Sequence, residues 1–218
     1  MKKNIVLFIL FILPIVAYLF FASGINSFGK LPIITKNIPE INTFQSLNNK
    51  TALLKNKITI LSFLGSNTIK NQGNYFNLTE QIYNRNKDFK DFQFVLIAPN
   101  GTENEVNILI KKLSKLTPDV SKWKIVFGSS NEIQKFYGKL ELKGKLDIDL
   151  GTKMVYIIDK NRNLRGRNDP KDYKEGYNTT SPADLHNEMT DDVKIILAEY
   201  RFALKKNNNK LKTIEKKS

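Results

Sequence analysis

The sequence predicts a single α/β domain with a mainly parallel central sheet. Three apolar runs have the length and continuity of strands that are buried on both faces: "ITILSFL" (58–64), "FQFVLIA" (92–98) and "WKIVFG" (123–128). Segments with apolar residues at helical spacing separate these runs, and such alternation is typical of parallel sheets with right-handed crossovers. With 218 residues, of which 41% are hydrophobic, the chain can bury one sizeable core.

Two helix starts follow the second and third strands. Thr102 with Glu105, and Ser129 with Glu132, have the spacing of a capping box. In that motif each side chain satisfies an amide group that is left free at the helix N-terminus. Both segments that follow are therefore predicted to be helical.

The ends of the domain contain two predicted hairpins and a closing helix. Residues 42–57 include two strand-like pieces around an Asn-Asn turn signal, and residues 154–167 include two such pieces around the turn "DKNRN". Ser181 and Pro182 are favoured cap and first-turn residues, and an apolar stripe follows them. This pattern predicts a long helix packed on the sheet, with the second hairpin as an antiparallel edge.

The N-terminus predicts one transmembrane helix. An uncharged apolar run extends from Ile5 to Ala22, long enough to cross most of a hydrocarbon layer of about 30 Å, and Lys2 and Lys3 precede it. Positive flanks stay in the cytoplasm, so we expect a single-pass protein of the cell membrane, with the globular domain on the periplasmic or extracytoplasmic side. The small residues at 22–24 leave a cleaved signal peptide as the alternative.

These patterns divide the chain into four parts. Residues 1–24 are the predicted anchor, 25–40 a spacer, 41–204 the folded domain, and 205–218 a lysine-rich tail for which we expect disorder. The tail contributes six lysines and one glutamate to a net charge of +14. Nucleic acid is not an expected partner, because the rest of the surface has neither an arginine cluster nor interleaved aromatic residues.

Three segments of the domain carry a family resemblance: "ILSFLGSN" (60–67), "VLIAPNGTENEV" (95–106) and "GTKMVYIIDKNRNLRGR" (151–167). In this order, and behind an anchor and a hairpin, they resemble the Sco (SenC-type) family over roughly residues 40 to 203. The resemblance implies a thioredoxin-like fold. It also implies an association with copper delivery to cytochrome c oxidase and with thiol–disulfide chemistry.

The family's copper ligands are two cysteines of a CxxxC motif and one histidine. Carried onto this sequence, the cysteine positions fall on Asn67 and Asn71, and the histidine position falls on Gly151. The chain contains no cysteine, so it has neither disulfides nor thiol chemistry. The resemblance therefore implies a degenerate member with no metal, no cofactor and no catalytic residue at this site.

Six other side chains are candidate replacements for these ligands: His186, Met154, Met189, Asp147, Asp149 and Asp159. We expect the histidine on a charged helix surface, the methionines in apolar stripes of the core, and the aspartates in turns at strand ends. None is predicted to bind a metal or to act in catalysis.

The sequence therefore predicts a membrane-tethered, non-catalytic Sco-like protein that acts by protein binding. The resemblance implies an accessory role in the assembly of cytochrome c oxidase or another respiratory complex, with an assembly factor or a membrane protein as the partner. Two alternatives stay open. One is a copper or thiol-redox protein with other ligands, and the other is a surface module that binds anionic lipid or polymer through residues 205–218.

Overall fold

A computed structural model of the chain describes residues 10–16, 29–47 and 52–215, with residues 204–215 described as helical backbone only. The strands are β1 (Ile33–Thr35), β2 (Gln45–Ser46), β3 (Ile58–Leu64), β4 (Phe92–Pro99), β5 (Trp123–Gly128), β6 (Gly151–Ile158), β7 (Leu164–Arg165), β8 (Arg167–Asp169), β9 (Asp172–Lys174) and β10 (Tyr177–Asn178). The helices are α1 (Gln72–Leu78), α2 (Glu103–Leu113), α3 (Ser130–Gly138) and α4 (Thr190–Glu215). A π-helical turn (Thr79–Tyr83) and a short α-helical turn (Asn84–Asn86) continue α1, and a π-helical segment (Asp184–Met189) leads into α4.

The main sheet has the order β1-β7-β6-β3-β4-β5-β2, and β10 also pairs with β6. Only β3–β4 and β4–β5 are parallel among the pairings of the described residues, so the sheet is mixed and the prediction of a mainly parallel sheet was wrong. Connection length explains the difference, because a parallel pair needs a long crossover whereas a short turn joins antiparallel strands. The β6–β7 hairpin of residues 154–167 is confirmed.

The three predicted core strands are confirmed as β3, β4 and β5, and all seven residues of β3 are buried. Apolar clusters cover both faces of the sheet, which explains the continuous apolar runs. One cluster joins the sheet to α1, α2 and α4, and the other joins it to α3 and to apolar residues of the N-terminal segment. This two-sided burial fixes the strand ends at which the candidate site is built.

The two predicted capping boxes have different outcomes. The Ser129–Glu132 box is confirmed, with both reciprocal hydrogen bonds present at the start of α3. Helix α2 begins after Thr102 as expected, but the Thr102–Glu105 box was wrong. The Thr102 hydroxyl instead donates to the Pro99 carbonyl at 2.8 Å, so it does not cap the helix.

The N-terminal part of the domain differs from the prediction. The described part of residues 42–57 forms no hairpin, because its strand, β2, pairs with β5. The predicted spacer 25–40 is partly built into the fold, since β1 joins the sheet beside β7 and Ile38 is fully buried. The folded domain therefore includes Leu31, a buried core residue ten positions before the predicted boundary at residue 41.

The predicted anchor (1–24) lies mostly outside the described residues. Residues 10–16 are helical, and their large apolar side chains are exposed, from 38% at Ile12 to 67% at Leu10. Within the described ranges, no helix is both long and apolar enough to span a membrane.

At the C-terminal end of the described residues, α4 extends to Glu215, so residues 205–215 of the tail are helical where we expected disorder. Lysine is a good helix former, which is compatible with this continuation.

Arg165 connects β7, the N-terminal segment and α4. Its guanidinium, in a side chain that is 7% exposed, donates to Asp159 at 3.0 Å and to both carboxylate oxygens of Glu199 at 2.8 and 2.9 Å. It also donates to the Leu31 carbonyl at 2.7 Å, and the Leu31 amide donates to Glu199 at 2.9 Å. Burial alone would lower the pKa of Arg165, but the hydrogen bonds to Glu199 and Asp159 outweigh it and raise the pKa. The guanidinium therefore stays charged inside the fold.

Arg165→Met should reduce the free energy of unfolding by about 3–5 kcal/mol, because it leaves the buried Asp159 carboxylate without its cation. Urea unfolding followed by circular dichroism measures the change. The matched control is Lys194→Met, whose partner Asp191 is also exposed (66% and 62%), and it should cost less than about 1 kcal/mol. Equal costs for the two variants would contradict the role given to Arg165.

Candidate functional site

One cleft of about 620 Å³ contains all three positions singled out by the sequence. Antiparallel pairing of Leu64 with Gly151 brings the end of β3 against the start of β6, and the segment that leads from β3 to α1 lies beside them. The cleft is lined by Ser66, Asn67, Lys70, Asn71, Asp147, Ile148, Asp149, Gly151, Thr152 and Lys153. Residues 67, 71 and 151 therefore line the same cleft.

Asn67 and Asp149 form the polar contact across the cleft. The side-chain amide of Asn67 donates to Asp149 Oδ2 at 2.8 Å, while the other carboxylate oxygen accepts from the Gly151 amide at 3.0 Å. The Asp149 carbonyl accepts from the Ser66 amide at 2.9 Å. The carboxylate is thus used to join the two walls of the cleft.

Asn71 lies one turn after Asn67 and immediately before α1. Its amide donates to the Asn67 carbonyl at 3.2 Å, so the two asparagines share one turn of backbone. Asn71 is the N-cap residue of α1 by position, but its side chain makes no capping hydrogen bond. Both asparagines therefore line the cleft just before the helix begins.

Two glycines let the cleft walls approach each other. A Cβ atom built on Gly65 would lie 2.7 Å from the Gly151 nitrogen, and Gly65 has a φ of +66°. A Cβ on Gly151 would lie 3.1 Å from both Asp149 Oδ1 and the Leu64 carbonyl oxygen. Asp149 therefore lies against the space that a side chain at residue 151 would need.

A buried hydroxyl pair lies beneath the cleft. Ser62 Oγ and the Tyr75 hydroxyl are 3.2 Å apart, with Ser62 on β3 and Tyr75 on α1. Burial raises the pKa of Tyr75 to about 12, a hydrogen bond with Ser62 opposes this shift, and the Asp149 charge adds to it. The tyrosine is therefore neutral at physiological pH and supports the wall of the site.

The rim of the cleft carries both charge signs and one exposed apolar side chain. Lys70, Lys153 and Asp147 are exposed, and Ile148 is fully exposed between the two aspartates. These groups can donate and accept hydrogen bonds, pair with charges and cover apolar surface. Such chemistry suits the binding of a polypeptide surface.

The other sequence candidates lie apart from one another. His186 is exposed, and its Nδ1 lies 3.0 Å from Gln81 Oε1 on the surface between helical segments. Met189 is buried in the core as expected, and Met154 packs against the second apolar cluster. Asp159 pairs with Arg165 beyond the far end of β6, so the three aspartates do not form one cluster. Within the described part of the chain, no group of three or more His, Cys, Asp or Glu residues could hold a metal ion.

The sequence reasoning missed the structural part that Asp149 plays in the cleft. The sequence predicts a turn residue at this position, whereas the Asp149 side chain accepts a hydrogen bond from Asn67, 82 positions away in sequence. The local pattern "DIDLG" before β6 was a usable signal, because an aspartate two residues before a glycine can accept that glycine's amide. Lys70 and Lys153 gave no sequence signal for their position at the rim.

Gly151→Ala should reduce the free energy of unfolding by about 1–3 kcal/mol, because the new methyl group forces Asp149 or Leu64 to move. Thermal or urea unfolding measures the change. The control is Gly144→Ala, where a Cβ would have only ordinary contacts, at 3.4 Å from Glu175 and 3.5 Å from Tyr137. If Gly151→Ala proves as mild as its control, the close approach described here is wrong.

Comparisons with known proteins agree with this architecture. No family model matches the sequence, and no curated protein matches it. Among solved structures, a SCO1/SenC family lipoprotein from Bacillus anthracis is similar, with 19% identity, a TM-score of 0.57, and coverage of 78% of this chain and 99% of that one. BsSco, described as a member of the Sco family of cytochrome c oxidase assembly proteins with a disulfide switch, has 15% identity and a TM-score of 0.55, with coverage of 77% and 97%. The chain therefore has the thioredoxin-like fold in the form found in Sco/SenC family structures.

Proposed function

We propose that this protein is a membrane-tethered, non-catalytic Sco-like protein that binds another protein at the cleft. The observation that carries the proposal is the set of residues that line the cleft. Asn67, Asn71 and Gly151 occupy it together, and Asp149 forms a hydrogen bond with Asn67. The similarity to a member of a family of cytochrome c oxidase assembly proteins supports an accessory role in the assembly of that oxidase or of another respiratory complex.

The chemistry of the cleft supports a role without copper or redox turnover. Cu(I) prefers soft sulfur donors, whereas an asparagine side chain offers a neutral, hard oxygen. Thiol–disulfide exchange requires sulfur in a thiolate or a disulfide, and the chain has no cysteine at any position. The alternative of a copper or thiol-redox protein therefore has to rely on histidine or methionine, and neither lines the cleft.

The rim of the cleft supports protein binding. Ile148 presents an apolar side chain to solvent, and Lys70 and Lys153 lie at the rim with free access to water. An apolar anchor surrounded by charged groups is the usual composition of a protein–protein contact. The pairing of Asn67 with Asp149 holds the rim in one arrangement before a partner arrives, which lowers the entropic cost of binding.

The N-terminal sequence supports tethering to the cell membrane, with the domain on the extracytoplasmic side. The uncharged run from Ile5 to Ala22 follows Lys2 and Lys3. Its described part, residues 10–16, is a helix whose large apolar side chains are exposed to solvent. A lipid bilayer is the environment that removes such side chains from water.

A photo-crosslinking amino acid at Ile148 should capture a specific partner in native membranes, because this side chain is fully exposed at the cleft rim. Mass spectrometry of the adduct is expected to identify a respiratory oxidase subunit or assembly factor. The control is the same amino acid at Asn107, an exposed residue of α2. A lack of any adduct, or the same adducts at both positions, would contradict the proposal.

Copper titration separates this proposal from its rival. The purified protein should compete for Cu(I) with a chelator only weakly, because the cleft has no soft donor. The double variant Asn67→Cys/Asn71→Cys is the matched control, since its two thiols lie on one turn of backbone, and it should bind Cu(I) at least about tenfold more tightly. Sub-micromolar binding of Cu(I) by the unaltered protein would contradict the proposal that the cleft works without copper.

A further inference from the structure

The cleft and the N-terminal segment lie at different ends of the sheet. Leu64 pairs with Gly151 at one end of β3, and Thr59 pairs with Ile158 near the other. We call the first the cleft end. We call the second the tether end. Strand β3 begins there, and the Asp159–Asn163 turn follows β6 there. A strand of this length separates the two ends by roughly 20 Å, at about 3.3 Å per residue.

The N-terminal segment meets α4 beside the tether end. The Leu31 amide donates to Glu199 at 2.9 Å, and the Leu31 carbonyl accepts from Arg165, which also holds Asp159. Lys30 lines one cavity of about 810 Å³ together with Ala203 and Asn161. The path from the predicted anchor into the fold is therefore fixed next to the last described side chains of α4.

Helix α4 runs toward the tether end and passes it. Early in this helix, Asp192 accepts from the Tyr177 hydroxyl, and Tyr177 pairs with Val155 in the middle part of β6. Later in the helix, the Tyr200 hydroxyl accepts from the Lys160 amide, which lies beyond the end of β6. The helical backbone then continues to Glu215. From Ala203 this continuation adds roughly 18 Å at about 1.5 Å per residue.

The sequence of this continuation is strongly basic, with Lys205, Lys206, Lys210 and Lys212 followed by a single acid at Glu215. The N-terminal segment that reaches this end of the domain also starts close to the predicted anchor, because only seven residues lie between Ala22 and Lys30, so these two residues are at most about 30 Å apart. Basic segments next to an anchor are attracted to anionic headgroups, and this attraction falls off within a Debye length of about 8 Å.

The loops at the tether end have the composition of a surface that rests on lipid. Leu53, Phe89 and Leu116 are 46%, 41% and 40% exposed there, in the loops that lead into β3, β4 and β5. Lys55 and Lys90 are exposed in the same loops. The acidic Asp91 is paired with both Lys57 and Lys160, which reduces its repulsion of anionic headgroups. Apolar side chains mixed with lysines are typical of membrane-surface contacts.

We infer that the domain stands on an anionic membrane surface with its tether end and the basic end of α4 against the lipid headgroups, and with the cleft end facing away. This inference rests on the proposed tethering, but not on the proposed partner. It places the cleft at least roughly 20 Å from the membrane, which is the length of β3. A partner would then be met in the aqueous compartment or on the projecting part of a neighbouring membrane protein.

The absence of cysteine from the whole sequence makes site-specific labelling a direct test, since each single-cysteine variant carries one thiol. Asn161→Cys places a fluorophore at the tether end, and Ile148→Cys places a matched, exposed fluorophore at the cleft end. The full-length variants are reconstituted in vesicles of phosphatidylcholine and phosphatidylglycerol that contain a lipid with a nitroxide quencher on its headgroup. Quenching is expected to be severalfold stronger at residue 161 than at residue 148. Equal or stronger quenching at residue 148 would overturn the inferred orientation.

Flotation of the same vesicles separates the two proposals. Protein that fails to float with the vesicles contradicts the tethering of the proposed function, and the orientation with it. Protein that floats but shows no difference between the two labels contradicts the orientation alone.

A lysine variant tests the part played by α4. Replacing Lys205, Lys206, Lys210 and Lys212 by Gln should reduce quenching at residue 161 on anionic vesicles but not on pure phosphatidylcholine. The control replaces four exposed lysines at or near the cleft: Lys70 and Lys153, which line it, and Lys143 and Lys145, which precede Asp147. An unchanged signal in the α4 variant, or an equal loss in the control, would overturn the role of the basic helix end.

Discussion

The close approach of two backbone segments at Gly65 and Gly151 determines the shape of the candidate site. The antiparallel pairing of β6 with β3 brings these segments together, so that a Cβ on Gly65 would clash with the backbone of Gly151, and one on Gly151 would press against Asp149 and Leu64. Asp149 then reaches across to Asn67, and its second oxygen holds the Gly151 amide. The inner wall of the cleft is therefore backbone, and the Asn67–Asp149 hydrogen bond crosses the cleft. Asn71, Lys70 and Lys153 line the rest of it.

This arrangement explains how a thioredoxin-like scaffold can lack thiol chemistry and remain well packed. The helix N-terminus that stabilises a thiolate in redox members of such folds is present here, but the residues before it at 67 and 71 are asparagines. The hydrogen bond from the Asn67 side-chain amide to Asp149 pairs two polar groups of the cleft with each other. The site therefore keeps its shape through contacts between groups of the protein itself.

The sequence predicted those features that depend on local pattern. Strand β3 coincides with the predicted run, because burial on both faces produces an uninterrupted apolar segment. Strand β1 was missed, since Pro32 and the short length of the strand give the pattern of a spacer, and its place in the sheet depends on β7 and on Arg165. The Thr102 cap was wrong because its hydroxyl finds the Pro99 carbonyl, a competing acceptor that spacing alone does not reveal.

Prediction of the candidate site was limited in the same way. The convergence of Asn67, Asn71 and Gly151 came through the family resemblance, and the cleft contains all three. The Asn67–Asp149 bridge joins residues that are 82 positions apart, so only the folded chain brings the two together. Charge at the rim could not be assigned either, because an exposed lysine in a basic sequence has no pattern of its own.

The π-helical segment before α4 has a consequence for the whole closing helix. A π-helical turn contains one residue more than an α-helical path over the same length, so it takes up an extra residue without displacing the helix on either side. Loss of a single residue from Asp184–Met189 would therefore leave a regular α-helical turn with Glu199 still at Arg165, whereas the same loss between Thr190 and Glu199 would rotate Glu199 by about 100° about the helix axis. The π-helical turn is thus the place in the closing helix where the number of residues can change without altering which face of α4 meets the core.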